Sequence, residues 1–248
     1  MKVLGIIPAR YASSRFPGKP LVVINGKTMI RRVYEQALKC REMDQVIVAT
    51  DHETIRNHVA AFGGEVMMTS AKHRSGTERC AEVITQLTKK GLQFDTVVNI
   101  QGDEPFIDPL QISQLLSCFN HPETDIATLI LKIDTPALLS DSNIVKVVTD
   151  VKGKALYFSR SAIPFTRGQD MSVWPTTTSY YKHIGIYGYR ANLLPEIVAL
   201  PVAPPETAES LEQLRWLWHG YRIQTQVTTI ESIAIDIPAD LLKITNKT

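Results

Sequence analysis

The chain has 248 residues, 44% of them hydrophobic and 21% charged, with a formal net charge of +2. It is long enough to bury the core of one large α/β domain, and too near neutral to make a general case for a nucleic-acid or membrane-surface partner. Cys40, Cys80 and Cys118 are far apart and odd in number, which fits neither a disulfide framework nor a zinc site.

In chain order, residues 3–7 read as a buried strand and 28–40 as a helix, with Met29, Ile30, Val33, Ala37 and Leu38 on one stripe. A strand over 46–50 is closed by Asp51. A helix over 53–62 stops at Gly63-Gly64. A strand at 65–69, a helix at 77–90, a strand at 96–100 and a helix at 109–119 continue the alternation. This rhythm predicts a mostly parallel sheet with helices on both faces. The second half differs. Strands are expected at 126–133, 145–149, 155–159, 180–189 and 222–230, and helices at 208–219 and 238–244. Asp150-Val151-Lys152-Gly153 reads as a hairpin turn, and 170–179 as a flexible loop. Antiparallel ribbons on a parallel sheet suggest an arm that caps a site or pairs subunits. No repeat or clean linker interrupts the chain, so one domain over 1–248 is expected. The first apolar run breaks at Pro8 and Arg10, unlike a signal peptide, and no apolar run approaches bilayer length, so a cytoplasmic location is expected.

The first strand empties into a loop carrying Arg10, Arg15 and Lys19 with no acid among them. Such a loop leaves the carboxyl end of a strand, where α/β sheets bind ligands. Three cations there call for an anion, and a polyphosphate suits the planar fork of Arg and the point charge of Lys. Gly18-Lys19 is followed by Pro20 and no G-x-G-x-x-G is present, so neither a Walker loop nor a dinucleotide fingerprint accounts for the loop.

Gln101-Gly102-Asp103-Glu104-Pro105 follows a buried strand directly. Opposite a phosphate loop, Asp103 reads as a ligand for Mg²⁺, which takes one or two carboxylates plus phosphate oxygens. Asp236 reads either as its partner or as an ordinary helix-start aspartate. The segment 73–79 offers either nucleotide contacts or plain helix capping. In 181–189, His183, Gly185, Tyr187 and Tyr189 share a face. That face suits a sugar, with Arg160 for a carboxylate, or aromatic packing in a dimer arm.

With these residues in hand, the chain resembles the 3-deoxy-manno-octulosonate (Kdo) cytidylyltransferases, or CMP-Kdo synthetases. The resemblance rests on IIPARYASSRFPGKPL, VIVATD, SGTER, VNIQGDEP, YFSRSAIPF, HIGIYGYR and LEQLR, spanning Ile6 to Arg215 and extended by Asp236 to Asp240. It implies a Rossmann-like three-layer nucleotide-diphospho-sugar transferase fold with an antiparallel dimerisation arm. It also implies a homodimer and a Mg²⁺-dependent reaction of CTP with Kdo that yields CMP-Kdo and pyrophosphate for lipopolysaccharide assembly. By matching position, Arg10, Arg15 and Lys19 would bind the triphosphate, and Ser75, Arg79 and Gln101 would lie near the cytidine. Asp103 and Asp236 would hold the metal. Lys19, Arg15 and the two aspartates would carry the catalysis. Arg160, His183, Tyr187, Glu212 and Gln213 would shape the sugar-acid site. The lead from Ser232 into Asp236 lacks the family's glycine, and its threonine after the aspartate is missing. An enzyme for an 8-amino analogue of Kdo, or a catalytically inactive nucleotide-binding protein on the same fold, are the alternatives.

Overall fold

The computed structural model describes residues 1–12, 16–231 and 233–241. The elements run β1 (Val3–Ala9), β2 (Val23–Ile24), β3 (Lys27–Thr28), α1 (Met29–Ala37), β4 (Gln45–Thr50), α2 (Glu53–Ala61), β5 (Val66–Met68), α3 (Gly76–Lys89), β6 (Thr96–Asn99) and α4 (Pro109–Ser117). There follow β7 (Ile126–Ile133), α5 (Pro136–Ser140), β8 (Lys146–Thr149), β9 (Ala155–Ser159), α6 (Trp174–Thr177), β10 (Tyr180–Arg190), α7 (Leu194–Ala199), α8 (Pro204–Glu209), α9 (Gln213–Trp218) and β11 (Ile223–Thr228).

The chain packs into two compact units. The first comprises Met1–Ser113, Tyr189–Val198 and the described part of the C-terminal segment. Its strands follow the order β6-β1-β4-β5. They are parallel, with β1 in register between Leu4↔Gln45 on one side and Leu4↔Val97 on the other. Apolar side chains of β1, β4 and β6 are almost fully buried, as expected of parallel strands covered on both faces. Helix α1 buries Met29, Ile30, Val33, Tyr34 and Ala37, an amphipathic stripe at helical spacing. Helix α3 starts at Ser75, whose hydroxyl accepts from the Glu78 amide at 3.2 Å, and it stops before Gly91, whose φ is 81°.

The second unit comprises Gln114–Gly188 and Ala199–Glu231. Strand β7 is paired with parallel β11 and neighbours β10. Strands β8 and β9 form an antiparallel ribbon, and β8 also pairs antiparallel with β10. A separate core joins Ile133, Leu139, Trp174 and Tyr180.

The predicted alternation and the ribbon are present, but several bounds change. The helix expected over 28–40 is α1, which ends at Ala37. The helix expected over 208–219 is two short helices, because Ser210 takes a left-handed φ of 52° and ends α8. The loop expected over 170–179 is instead a 3₁₀ turn, Met171–Val173, followed by α6. Asp170 starts it by accepting from the Ser172 amide at 2.9 Å, and Trp174 is buried. The helix expected from Pro238 is a 3₁₀ turn, Pro238–Leu241; residues 242–244 lie outside the described residues.

Candidate active site

The loop after β1 turns on Gly18, whose φ is 70°, a left-handed value at home in glycine. Its amide donates to the Tyr11 carbonyl at 3.0 Å. The Tyr11 ring stacks on His52 with centroids 4.2 Å apart. This closure presents Lys19 at the start of a 3₁₀ turn, Lys19–Leu21. The Lys19 ammonium donates to Asp103 Oδ2 at 2.7 Å and to the Ile235 carbonyl at 3.0 Å, and lies 3.5 Å from Asp236 Oδ1. Two acids and a cation from three distant segments therefore meet at one point.

Each acid is held by its backbone. The Ile235 amide donates to the Asp103 carbonyl at 2.9 Å, which ties the segment before Asp236 to the loop after β6. Ile235 is fully buried with Ile24 and Met29. Asp240 Oδ2 accepts from the amides of Asp236 (3.0 Å) and Ile237 (3.1 Å), fixing the turn that carries Asp236. Gly102 lies so close to β1 that a Cβ there would stand 2.6 Å from the Pro8 carbonyl oxygen. Only glycine lets Asp103 leave β6 at this angle.

Lys19, Gly102, Asp103 and Asp236 line a cleft of about 280 Å³ together with Arg10, His73, Arg74, Ser75, Gly76, Arg79 and Gln101. Arg10 is exposed at its rim. Arg15 lies outside the described residues. Ser75 and Gly76 set the amino end of α3 against the cleft, a place that favours anions. Arg79 borders the cleft, but its guanidinium is committed to the protein: it is 3% exposed, bonds Asp51 Oδ2 at 3.0 Å and reaches the Thr69 hydroxyl and Ser70 carbonyl. It ties α3 to the ends of β4 and β5.

The two carboxylates within reach of one ammonium form the donor set that Mg²⁺ uses when phosphate oxygens complete its shell. Among the described residues no group of three or more His, Cys, Asp or Glu side chains gathers for a metal. A site that shares its metal with a phosphate needs only the pair.

The five predicted sugar-acid residues all lie in the second unit. The Arg160 guanidinium donates to three carbonyls, of Glu209 (2.7 Å), Ser142 (3.1 Å) and Ser210 (3.5 Å). The Arg160 amide and the Ser159 hydroxyl donate to the Glu209 carboxylate at 2.9 and 2.6 Å. The Thr128 hydroxyl is aimed at the Ile186 carbonyl at 2.8 Å, so it accepts from His183 Nε2 at 3.0 Å. The His183 ring sits 5.4 Å from Phe158 and 5.1 Å from Tyr187, and burial among them pushes its pKa down to about 4. Tyr187 packs edge-on to Trp216 at 5.1 Å. Burial, and then the nearby Glu212 charge, raise its pKa well above the usual tyrosine value. Glu212 leads into α9, and Gln213, the first residue of α9, is 5% exposed. Of the five, His183, Tyr187 and Glu212 come together.

Four residues of these sites escaped the sequence reading. Asp51 was visible only as a strand end, and Asp240 only as part of a terminal motif. Glu209 gave no local signal because its partners, the Ser159 hydroxyl and the Arg160 amide, lie 50 and 49 residues away, and Lys146, which donates to the carbonyls of Asp141, Ile144 and Arg160, gave none because backbone partners leave no side-chain pattern.

Comparisons with known proteins place the chain in a family. The cytidylyltransferase family profile matches residues 4–226. A 3-deoxy-manno-octulosonate cytidylyltransferase of Bacteroides thetaiotaomicron is 54% identical over 97% of this chain and 96% of that protein. An 8-amino-3,8-dideoxy-manno-octulosonate cytidylyltransferase of Shewanella halifaxensis is 48% identical, over the same shares. Among solved structures, a CMP:2-keto-3-deoxy-manno-octonic acid synthetase complexed with CTP superposes with a TM-score of 0.91 and 41% identity, covering 100% of this chain and 98% of that one. The chain belongs to the cytidylyltransferase family. The resemblance read from its motifs is borne out, and with it the nucleotidyltransferase fold.

Proposed function

We propose that this chain transfers a cytidylyl group from CTP to Kdo, releasing pyrophosphate and supplying CMP-Kdo for lipopolysaccharide assembly. The observation that carries the reading is the meeting of Lys19, Asp103 and Asp236 on the cleft beside the amino end of α3. Names of relatives at 54% and 41% identity support the sugar acid and the nucleotide.

The anomeric C2 hydroxyl attacks the α-phosphorus in line, its proton is lost to solvent, and pyrophosphate leaves. Little covalent work falls to the protein, so positioning and charge dominate. Arg10, Arg15 and Lys19 hold the triphosphate and stabilise charge building on the leaving group. Ser75 and Gln101 face the nucleotide, and Arg79 braces the wall behind it. Asp103 and Asp236 would hold Mg²⁺, which when bound would polarise the α-phosphate. On phosphate binding Lys19 exchanges its carboxylate partners for phosphate oxygens. Arg160, His183, Tyr187, Glu212 and Gln213 receive the sugar acid.

The chain acts in the cytoplasm, in keeping with its three buried free cysteines. Among the described residues no helix is long and apolar enough to cross a membrane. The β8–β9 ribbon serves as the arm of a homodimer, since it exposes Val151, Leu156 and Tyr157. Equilibrium sedimentation at micromolar concentration gives twice the chain mass; a monomer there refutes the dimer.

The deciding assay is pyrophosphate release from CTP and Mg²⁺ with Kdo and with its 8-amino analogue. Faster turnover with Kdo is expected. Preference for the analogue would move the chain to the second class of relatives, and release with neither would sink the reading.

A further inference from the structure

Lys146 is fully buried at the start of β8, and among the described residues no carboxylate is in direct contact with its ammonium. It donates to the carbonyls of Asp141 (2.8 Å), Ile144 (2.7 Å) and Arg160 (2.5 Å). Three carbonyls match the three donors of an ammonium, so the buried charge is solvated by the backbone. Two of those carbonyls, at 141 and 144, bracket Ser142, whose own carbonyl accepts from Arg160 Nη1. The third belongs to Arg160 itself. One ammonium thus holds both the backbone that bears the guanidinium and the loop that aims it.

The charges reinforce this. The Arg160 guanidinium rests on neutral carbonyls, while the two carboxylates that act on Lys146 from nearby are engaged elsewhere, Asp141 by the backbone and side-chain amides of Asn143 and Glu209 by the Ser159 hydroxyl and the Arg160 amide. A carbonyl frame orients a guanidinium without neutralising it, which suits capture of an anion by its remaining donors.

We infer that Lys146 is the positioning residue for Arg160, and that it preorganises the Arg160 fork as a seat for the carboxylate of the sugar acid. This rests on the proposed function, which supplies the carboxylate. Lys146 does not touch the substrate. It fixes the fork of Arg160 from a buried position on the backbone.

The test compares steady-state kinetics of full-length wild type, Lys146→Gln, Arg160→Met and the double variant, with CTP and Kdo varied separately. Lys146→Gln keeps an amide that donates to the carbonyls. Its KM for Kdo should rise at least tenfold while KM for CTP stays within twofold. In the Arg160→Met background the same change should add less than twofold, because its route is already lost. An unchanged KM for Kdo, a parallel rise for CTP, or full additivity in the double variant would overturn the inference. If Lys146→Gln does not fold, Lys146→Arg decides. It keeps the charge but not the three-carbonyl geometry, so KM for Kdo should rise severalfold, and an unaltered value overturns the assignment. Wild-type inactivity on Kdo and its 8-amino analogue would sink the seat and the function together, whereas normal wild-type turnover with indifferent variants sinks the seat alone.

Discussion

The candidate sites of the two units handle charge in opposite ways. In the first, cations meet anions: Lys19 lies between Asp103 and Asp236, and Arg79 is paired with Asp51. In the second, Lys146 and Arg160 rest on backbone carbonyls and His183 is held neutral. A site built from ion pairs must exchange partners when a polyphosphate arrives. A site built from carbonyl dipoles keeps its charge and geometry before and after. The first arrangement suits a ligand that brings a metal with it, and the second a small anion recognised by shape.

The largest effect is expected where an ion pair is both buried and isolated. Arg79→Met leaves Asp51 without its cation and should cost about 3–5 kcal/mol of stability, the scale of breaking a buried pair, read by urea unfolding. A loss below 1 kcal/mol would mean that the first unit does not depend on its pairs. Next comes Asp103→Asn, which removes one of the two acids facing Lys19. The barrier should rise by about 2–4 kcal/mol, seen as a fall in kcat of roughly 30-fold to 1,000-fold. Near-normal turnover would dismiss Asp103 as a metal ligand.

Gly102→Ala asks whether these charges need their backbone. The new methyl would meet the Pro8 carbonyl at 2.6 Å. Overpacking should cost about 1–3 kcal/mol in stability, with kcat falling and KM for Kdo little changed. Equal damage to both would blur the division between the units. The smallest effect belongs to the second unit. Between pH 6.5 and about 4, His183 is neutral in the fold but protonated in the unfolded chain. Unfolding then takes up a proton, so stability falls as pH drops through that window, by roughly 2 kcal/mol after allowance for partial exposure. His183→Gln should flatten that slope in thermal melts from pH 4 to 7. An unchanged slope would show that His183 is not held neutral.

Local patterns were legible where physics is local. Alternating apolar runs marked β1, β4 and β6, and an acid directly after a strand marked Asp103. Partners were not legible, because a lysine does not announce which carboxylate, 84 residues away, it will meet. The resemblance alone put Arg79 near the cytidine; it does border the cleft, but no local pattern showed that the helical turn aims its guanidinium at Asp51. Lys146 read as one residue of a strand, since carbonyl partners leave no trace in side-chain pattern. Likewise the run 208–219 has helical composition throughout, and only the left-handed backbone at Ser210 divides it.

The contact between Gly102 and the Pro8 carbonyl also limits how the enzyme can be re-engineered. Both surfaces at that point are main chain, so no neighbouring side chain can be trimmed to make room. A saturation library at position 102 selected for turnover should return glycine alone. Diversity aimed at new sugar acids belongs instead around His183, Tyr187 and Glu212, where side chains meet side chains and one substitution can be compensated by another.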